Sequence, residues 1–218
     1  MTVNVVLLPI IAGGVVNAAS GQVGLVPGTY ATVFGTDLSY NTTASASLPV
    51  PATLSGVQVL VNGTFAPLTY VSLGQVNFLI PNDVKLGVGT VQVIRNGVFG
   101  NIATMTVTPT APGVFQNAGL GIVTNNSGQL VTVDNPVVLG NYSGIAYTLW
   151  LTGLGVTDCS VQSGTASNKV CNALIQPTLT IGGLPATIYY AGLQPQFPGL
   201  YQINFIVPSQ VATVSSAC

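Results

Sequence analysis

The sequence predicts an all-β protein made of two tandem immunoglobulin-like β-sandwich domains, and three observations predict it. Short runs of alternating apolar and polar residues recur along the chain, bounded by Gly, Pro and Asn: VQVLVNG, QVNFLIP, TVQVIRNG, IATMTVTP, YTLWLTG, TLTIGG, TIYYAG and YQINFIVP. A spacing of about 8–12 residues between such runs suits a sandwich or barrel. No long apolar run of helical period interrupts them. The third observation is a nonapeptide written twice, LGQVNFLIP from Leu73 and LYQINFIVP from Leu200.

The elements follow in order. Residues 1–18 form an apolar, uncharged arm, MTVNVVLLPIIAGGVVNA. No basic residue opens it, so it makes a poor signal peptide. Asn4, Pro9 and the Gly13–Gly14 pair make it a poor membrane helix, and it is short for one. Val3, Val5 and Leu7 alternate with Asn4, which suits a strand. Residues 19–110 form the first sandwich and 111–218 the second, with TPTAPGVFQ from Thr108 joining them. Asn62–Gly63, Asn96–Gly97 and Gly182–Gly183 mark tight hairpins.

The two domains read as an internal duplication. YATVFGTDL from Tyr30 matches YTLWLTGLG from Tyr147, and VQVLVNGTFAPLTYVS from Val57 matches TLTIGGLPATIYYAG from Thr178. The first nonapeptide is followed by TVQVIRNGVFGNIATMTVTP, which predicts a closing hairpin. The second is followed by SQVATVSSAC, which has room for one short strand at most. The second domain is therefore expected to lack its closing strands, leaving apolar core and unpaired backbone to be covered. The arm is a spare apolar strand. We expect Val3, Val5, Leu7, Ile10 and Ile11 of one molecule to fill that gap in its neighbour, by strand addition between chains; the alternative is that the arm folds back on its own chain. Repeated head to tail, such a contact builds a filament.

Charge is nearly absent, at 3% of 218 residues with a formal net charge of −1. Ordinary soluble proteins carry roughly 25%. The charged residues are Asp37, Asp83, Asp134, Asp158, Lys85, Arg95 and Lys169, with no Glu and no His. Three cations cannot neutralise a nucleic-acid backbone. A mean hydropathy of +0.64 excludes a disordered chain. A near-neutral surface favours association.

Chemistry finds little support. A nucleophilic triad needs a base, and the chain has no His. A Ser–Lys pair at Lys85 or Lys169 would sit in polar loops, where solvated cations are expected. Asp37 and Asp158 follow matched strands without aligning, so they do not read as the paired carboxylates of a glycosidase. Asp83 beside Lys85 reads as a turn. No run of carboxylates suits calcium, and no CxxC or His suits zinc. Gly153–Leu154–Gly155 is a turn without a following helix. We expect no enzyme activity, no cofactor and no metal. A transmembrane barrel needs aromatic girdles, which one Trp does not supply.

Cys159 and Cys171 flank CSVQSGTASNKVC, a polar loop that a disulfide can close, while Cys218 is left over. A bridge of this kind points to an extracellular or cell-surface location. Asn41, Asn62, Asn125 and Asn141 open Asn-x-Ser/Thr triplets, the acceptors of N-glycosylation. Tyr70, Tyr189, Tyr190, Tyr201 and Phe197 cluster in the second half of each repeat. Exposed neighbouring rings there would bind glycans, whereas Phe78 and Phe205 read as core.

The ordered string GGVVNAASGQVGLVPGTYATVFGTDLS, LPVPATLSGVQVLVNGTFAPLTYVSLGQVNFLIP, APGVF, LTGLG, IGGLPATIYYAGL and PGLYQINFIVP resembles a bacterial extracellular C-terminal domain family common in acidobacteria. Each half is similar to the immunoglobulin-like IPT/TIG domain, with FGTDL and VNG in the early strands. The resemblance spans Gly13 to about Val211. It implies secretion and tandem sandwiches, and no catalytic residues. The family pattern continues with a Gly-rich strand pair after VP, which is not found here. The expected function is that of a self-assembling extracellular structural subunit, a homo-oligomer without a membrane span. The alternative is a non-catalytic carbohydrate- or surface-binding module.

Overall fold

The computed structural model describes residues 7–137 and 146–209. Among them are nineteen strands and no helix. In chain order these are β1 (Ile10–Asn17), β2 (Tyr30–Thr36), β3 (Thr43–Ala44), β4 (Val57–Val61), β5 (Thr64–Phe65), β6 (Leu68–Val71), β7 (Gln75–Leu79), β8 (Gly87–Arg95) and β9 (Val98–Val107). Then come β10 (Gly113–Val114), β11 (Gln116–Asn117), β12 (Leu120–Gly121), β13 (Val123–Asn125), β14 (Tyr147–Thr152) and β15 (Cys171–Asn172). The last are β16 (Thr180–Ile181), β17 (Leu184–Pro185), β18 (Thr187–Leu193) and β19 (Tyr201–Ile206). The protein is all-β, as its alternating runs predict.

In the first half two antiparallel sheets face each other. One runs β1-β2-β7-β6-β3 and the other β5-β4-β8-β9. Alternation decides what each buries. In β4, Val57, Val59 and Val61 point inward while Gln58 and Leu60 stay half-buried. In β7, Val76 and Phe78 are the inward pair. Both sheets give side chains to one core, in which Val33, Val59, Phe78, Val91 and Val93 have no exposed surface. Each such side chain contributes about 1.5–3 kcal/mol through burial. The turns Asn62–Gly63, Asn96–Gly97 and Gly182–Gly183 have positive φ at both positions. That backbone matches the twist of tight hairpins, and Asn and Gly adopt it most readily.

The second half has one main sheet, β10-β14-β19-β18-β15, with β13 also on β14. Its strand order repeats that of the first sheet. Among the described residues, the one hairpin that lies opposite it is β16–β17, of two residues per strand. Loop residues Val131, Val137 and Val161 complete the cover of its core. Most of that core keeps slight exposure: Leu149 and Leu193 are 8% exposed, Ile203 and Phe205 3%, while Cys171 has none. Among the described residues nothing plays the part of the long β8–β9 hairpin.

The register corrects one sequence alignment. Thr32 faces Asn77 in β2–β7, and Thr148 faces Asn204 in β14–β19. Tyr147 is therefore the counterpart of Ala31 and not of Tyr30. A slip of one residue exchanges the two faces of a strand. Ala31 and Tyr147 both point into a core, whereas Tyr30 lies on the other face, edge-on to Phe115 at 5.9 Å.

The arm is corrected as well. Residues Ile10–Asn17 pair antiparallel with β2 of their own chain, from Ile10 opposite Thr36 to Asn17 opposite Ala31. They form an edge strand of the first half. Ile11 and Val15 belong to its core. This part of the expected free arm is thus built into the fold, because its alternation suits the vacant side of β2. Val3 and Val5 lie outside the described residues.

Candidate functional site

The N-terminal strand is held by groups that span the two sheets of the first half. The Ile11 N–H donates to Asn101 Oδ1 at 2.7 Å, and Asn101 Nδ2 donates to the Ile11 carbonyl at 3.0 Å. One side-chain amide thus stands in for a neighbouring strand. Arg95, at the end of β8, is 1% exposed. Its guanidinium donates to the Leu7 carbonyl at 2.5 Å and to the Asp37 carbonyl, and lies 4.0 Å above the Tyr40 ring. A buried cation is tolerated only with such partners. Gly100 fits because an added Cβ would lie 2.1 Å from the Pro9 carbonyl oxygen. Ile11 faces the core, and Leu7, Leu8 and Ile10 face outward.

A second set of contacts joins the halves. Asn17 Nδ2 donates to the Ala111 carbonyl at 2.9 Å. Thr152 Oγ1 accepts the Tyr30 N–H at 3.2 Å and donates to the Gly199 carbonyl at 2.9 Å. Asn82 gives its backbone N–H to Ser163 Oγ at 2.9 Å and its Nδ2 to the Val161 carbonyl at 2.5 Å. Val50 N–H reaches the Gly164 carbonyl at 2.8 Å. Between these contacts lies a crevice of about 210 Å³, whose lining includes Gly28, Asn82, Gly155, Gln194, Phe197 and Tyr201. Among the described residues no charged side chain lines it. Tyr201 donates its hydroxyl to the Gly155 carbonyl at 2.7 Å, and burial pushes its phenol far above the ordinary range.

Cys159 and Cys171 form a disulfide, with Cα atoms 5.4 Å apart. The loop it closes carries Val161, Ser163 and Gly164, the residues that grip the first half. Asp158 beside it accepts from the Asn172 backbone N–H and from Asn172 Nδ2, both at 2.8 Å. Asp158, Cys159 and Cys171 lie within metal-binding distance of one another. Bonded sulfurs are not thiolates, and the carboxylate already holds β15, so the cluster is structural.

The other sequence-marked residues are dispersed. Asp37 contributes its carbonyl to Arg95, while Asp83, Lys85 and Lys169 are exposed. Asn41 and Asn62 are exposed, although Asn62 Oδ1 accepts the Thr90 N–H at 2.8 Å. Asn125 is half-buried, and its amide is occupied by Ser127 and Gln129. Asn141 and Cys218 lie outside the described residues. Tyr189 and Phe197 are more than half exposed. Tyr190 turns its hydroxyl onto the Cys171 and Leu193 carbonyls. Phe78 and Phe205 are core.

Sequence reasoning missed Asn101, Arg95, Asn82 and Thr152. Only Arg95 carried a usable signal, a charge inside an apolar strand run. The chain matches no family model, and no match is found among curated proteins. No described helix is long and apolar enough to cross a membrane.

Proposed function

We propose that the protein is an extracellular structural subunit that assembles head to tail by strand pairing between chains. The observation that carries this reading is the unequal closure of two halves with the same strand order. The first half is sealed by a four-stranded sheet and by its own N-terminal strand. The second is faced by two-residue strands and loops. A strand from a neighbour adds the missing pairing. The donor is the chain ahead of Leu7, Val3 and Val5 included, since Ile10 and Ile11 are engaged within their own chain. The disulfide fits an oxidising, extracytoplasmic setting. A nearly uncharged surface leaves little repulsion between copies.

Sedimentation velocity and negative-stain microscopy over a hundredfold concentration range test the proposal. Open polymers that lengthen with concentration are expected. A monomer across the whole range would overturn it. A second reading, glycan binding, draws on the uncharged crevice and the exposed Phe197 ring beside it. Glycan-array binding lost in Phe197→Ala would favour that reading.

A further inference from the structure

The two halves differ most sharply along one sheet edge. In the first half the outer side of β6 is paired along its length. β3 sets Thr43 opposite Val71 and Ala44 opposite Tyr70. Ser45 N–H then donates to the Thr69 carbonyl at 2.9 Å, and Leu68 N–H reaches the Pro51 carbonyl at 2.7 Å. The connection between β3 and β4 does this work. β18 is the counterpart of β6: Ala191 faces Ile203 as Val71 faces Val76, and each strand carries a bulge just before.

The partner of β18 sits two residues further along. β15 sets Cys171 opposite Leu193 and Asn172 opposite Gly192, and Ala173 N–H reaches the Ala191 carbonyl at 2.8 Å. There the chain turns away, and Leu174 N–H bonds the Val156 carbonyl at 2.9 Å instead. The connection from β15 to β16 is shorter than that from β3 to β4, and the disulfide fixes where it starts. Among the described residues none bonds the β18 backbone on that side before Ala191, although the Tyr190 hydroxyl reaches the Cys171 carbonyl at 3.2 Å. By register, Ile188 N–H and the Tyr189 carbonyl occupy the places of Leu68 N–H and the Thr69 carbonyl. Tyr189 is 54% exposed, where Thr69 is half-buried.

Edge strands in soluble proteins are usually blunted by charge, proline or cover. Residues Thr187–Leu193 contain no charge and no proline. We infer that this edge, Thr187–Tyr190, is the acceptor on which residues 1–6 of a second copy add as a strand. The inference rests on the self-assembly reading and places the added strand at the edge of the main sheet, beside the thin second layer. The donor MTVNVV is uncharged and alternates Val3 and Val5 with Thr2 and Asn4. Extended at about 3.3 Å per residue, it reaches about 20 Å, and the free edge is about 13 Å long. It leaves the first half at Leu7, whose side chain is exposed and whose carbonyl is tied down by Arg95.

The test uses a fluorescent MTVNVV peptide and the chain without residues 1–6, read by anisotropy beside sedimentation of the full chain. Ile188→Pro removes the outward N–H and spares the β19 ladder on the other side, though it also trims a side chain packed on the second core. Thr187→Lys with Tyr189→Lys is the companion variant, blunting the edge by charge without touching the backbone. Near-UV circular dichroism checks that both fold. Saturable peptide binding, weakened at least tenfold by either variant, is expected, with loss of polymers in the full chain. Peptide binding that persists in the doubly charged, folded variant would overturn the edge assignment. Assembly that survives removal of residues 1–6 yet fails in the edge variants would identify edge-to-edge pairing of two β18 strands and overturn the donor. Full chains that stay monomeric while the peptide binds would sink the polymer reading but support the acceptor.

Discussion

The sheets of the two halves are built alike down to individual hydrogen bonds. Thr32 Oγ1 donates to Asn77 Oδ1 at 3.0 Å, and Thr148 Oγ1 to Asn204 Oδ1 at 3.1 Å. Gln75 Nε2 approaches Asn77 Oδ1 at 2.7 Å, and Gln202 Nε2 approaches Asn204 Oδ1 at 3.3 Å. Yet most of the first core has no exposed surface, whereas all of the second but Cys171 keeps 2–8%. The difference teaches that a sheet and its closure are separate problems. Register and side-chain pairs make the sheet. A second layer makes the core, and among the described residues only the first half supplies a long one.

The sharpest way to break the comparison is through the matched phenylalanines. Phe78→Ala leaves a hole between two rigid sheets and is expected to destabilise by about 3–5 kcal/mol. Phe205→Ala, beneath loops that can settle into the space, is expected to lose about 1–2 kcal/mol less. Urea unfolding of both variants checks this, and equal losses would remove the distinction between the cores. Next in size is the disulfide. Cys159→Ser with Cys171→Ser is expected to lower stability by about 3 kcal/mol, mainly in the second half. Hydrogen exchange at Val50 and Asn82 should quicken too, since the bridged loop holds both.

Asn101→Ala is expected to lose about 1–3 kcal/mol by leaving the Ile11 backbone without partners. Faster amide exchange confined to β1 would show the strand loosening in its own chain. An unchanged β1 would mean that pairing with β2 suffices. Tyr201→Phe is expected to lose about 1 kcal/mol with the bond to Gly155. Its pH signature has a definite sign. The folded phenol is raised above its ordinary value of 10.0, so the unfolded chain ionises first. Its contribution is whole below pH about 10 and drains away as pH rises beyond that. The variant should show a shallower alkaline loss. The smallest effects are Thr32→Val and Thr148→Val, about 1 kcal/mol each or less. Equal values would show that the shared bonds weigh the same in both sheets.

Much of this was legible in residue order. Alternation in VQVLV and QINFI placed strands and their buried faces, because a pleated strand has a period of two. Asn62–Gly63 and Asn96–Gly97 announced hairpins, because few residues accept positive φ. The Cys159–Cys171 pairing followed from two cysteines bounding one polar loop. The arm was read less well. An alternating apolar segment states that it wants a strand partner and does not say which chain provides it. Nothing local to Ile10 and Ile11 distinguishes pairing with β2 from pairing with a neighbour. The match of Tyr30 to Tyr147 failed for a related reason, since like residues on opposite faces align by eye but not by register.

By itself the sequence determined the all-β class, the repeated nonapeptide, the turn positions and the near absence of charge. These depend on neighbours a few residues apart. The tertiary structure decided where Ile10–Asn17 lies, why Arg95 and Asn101 are needed, how the bridged loop grips the first half, and that β18 keeps an edge which β6 does not. Each of those depends on groups brought together across tens of residues, by sheet packing and by the length of one connection.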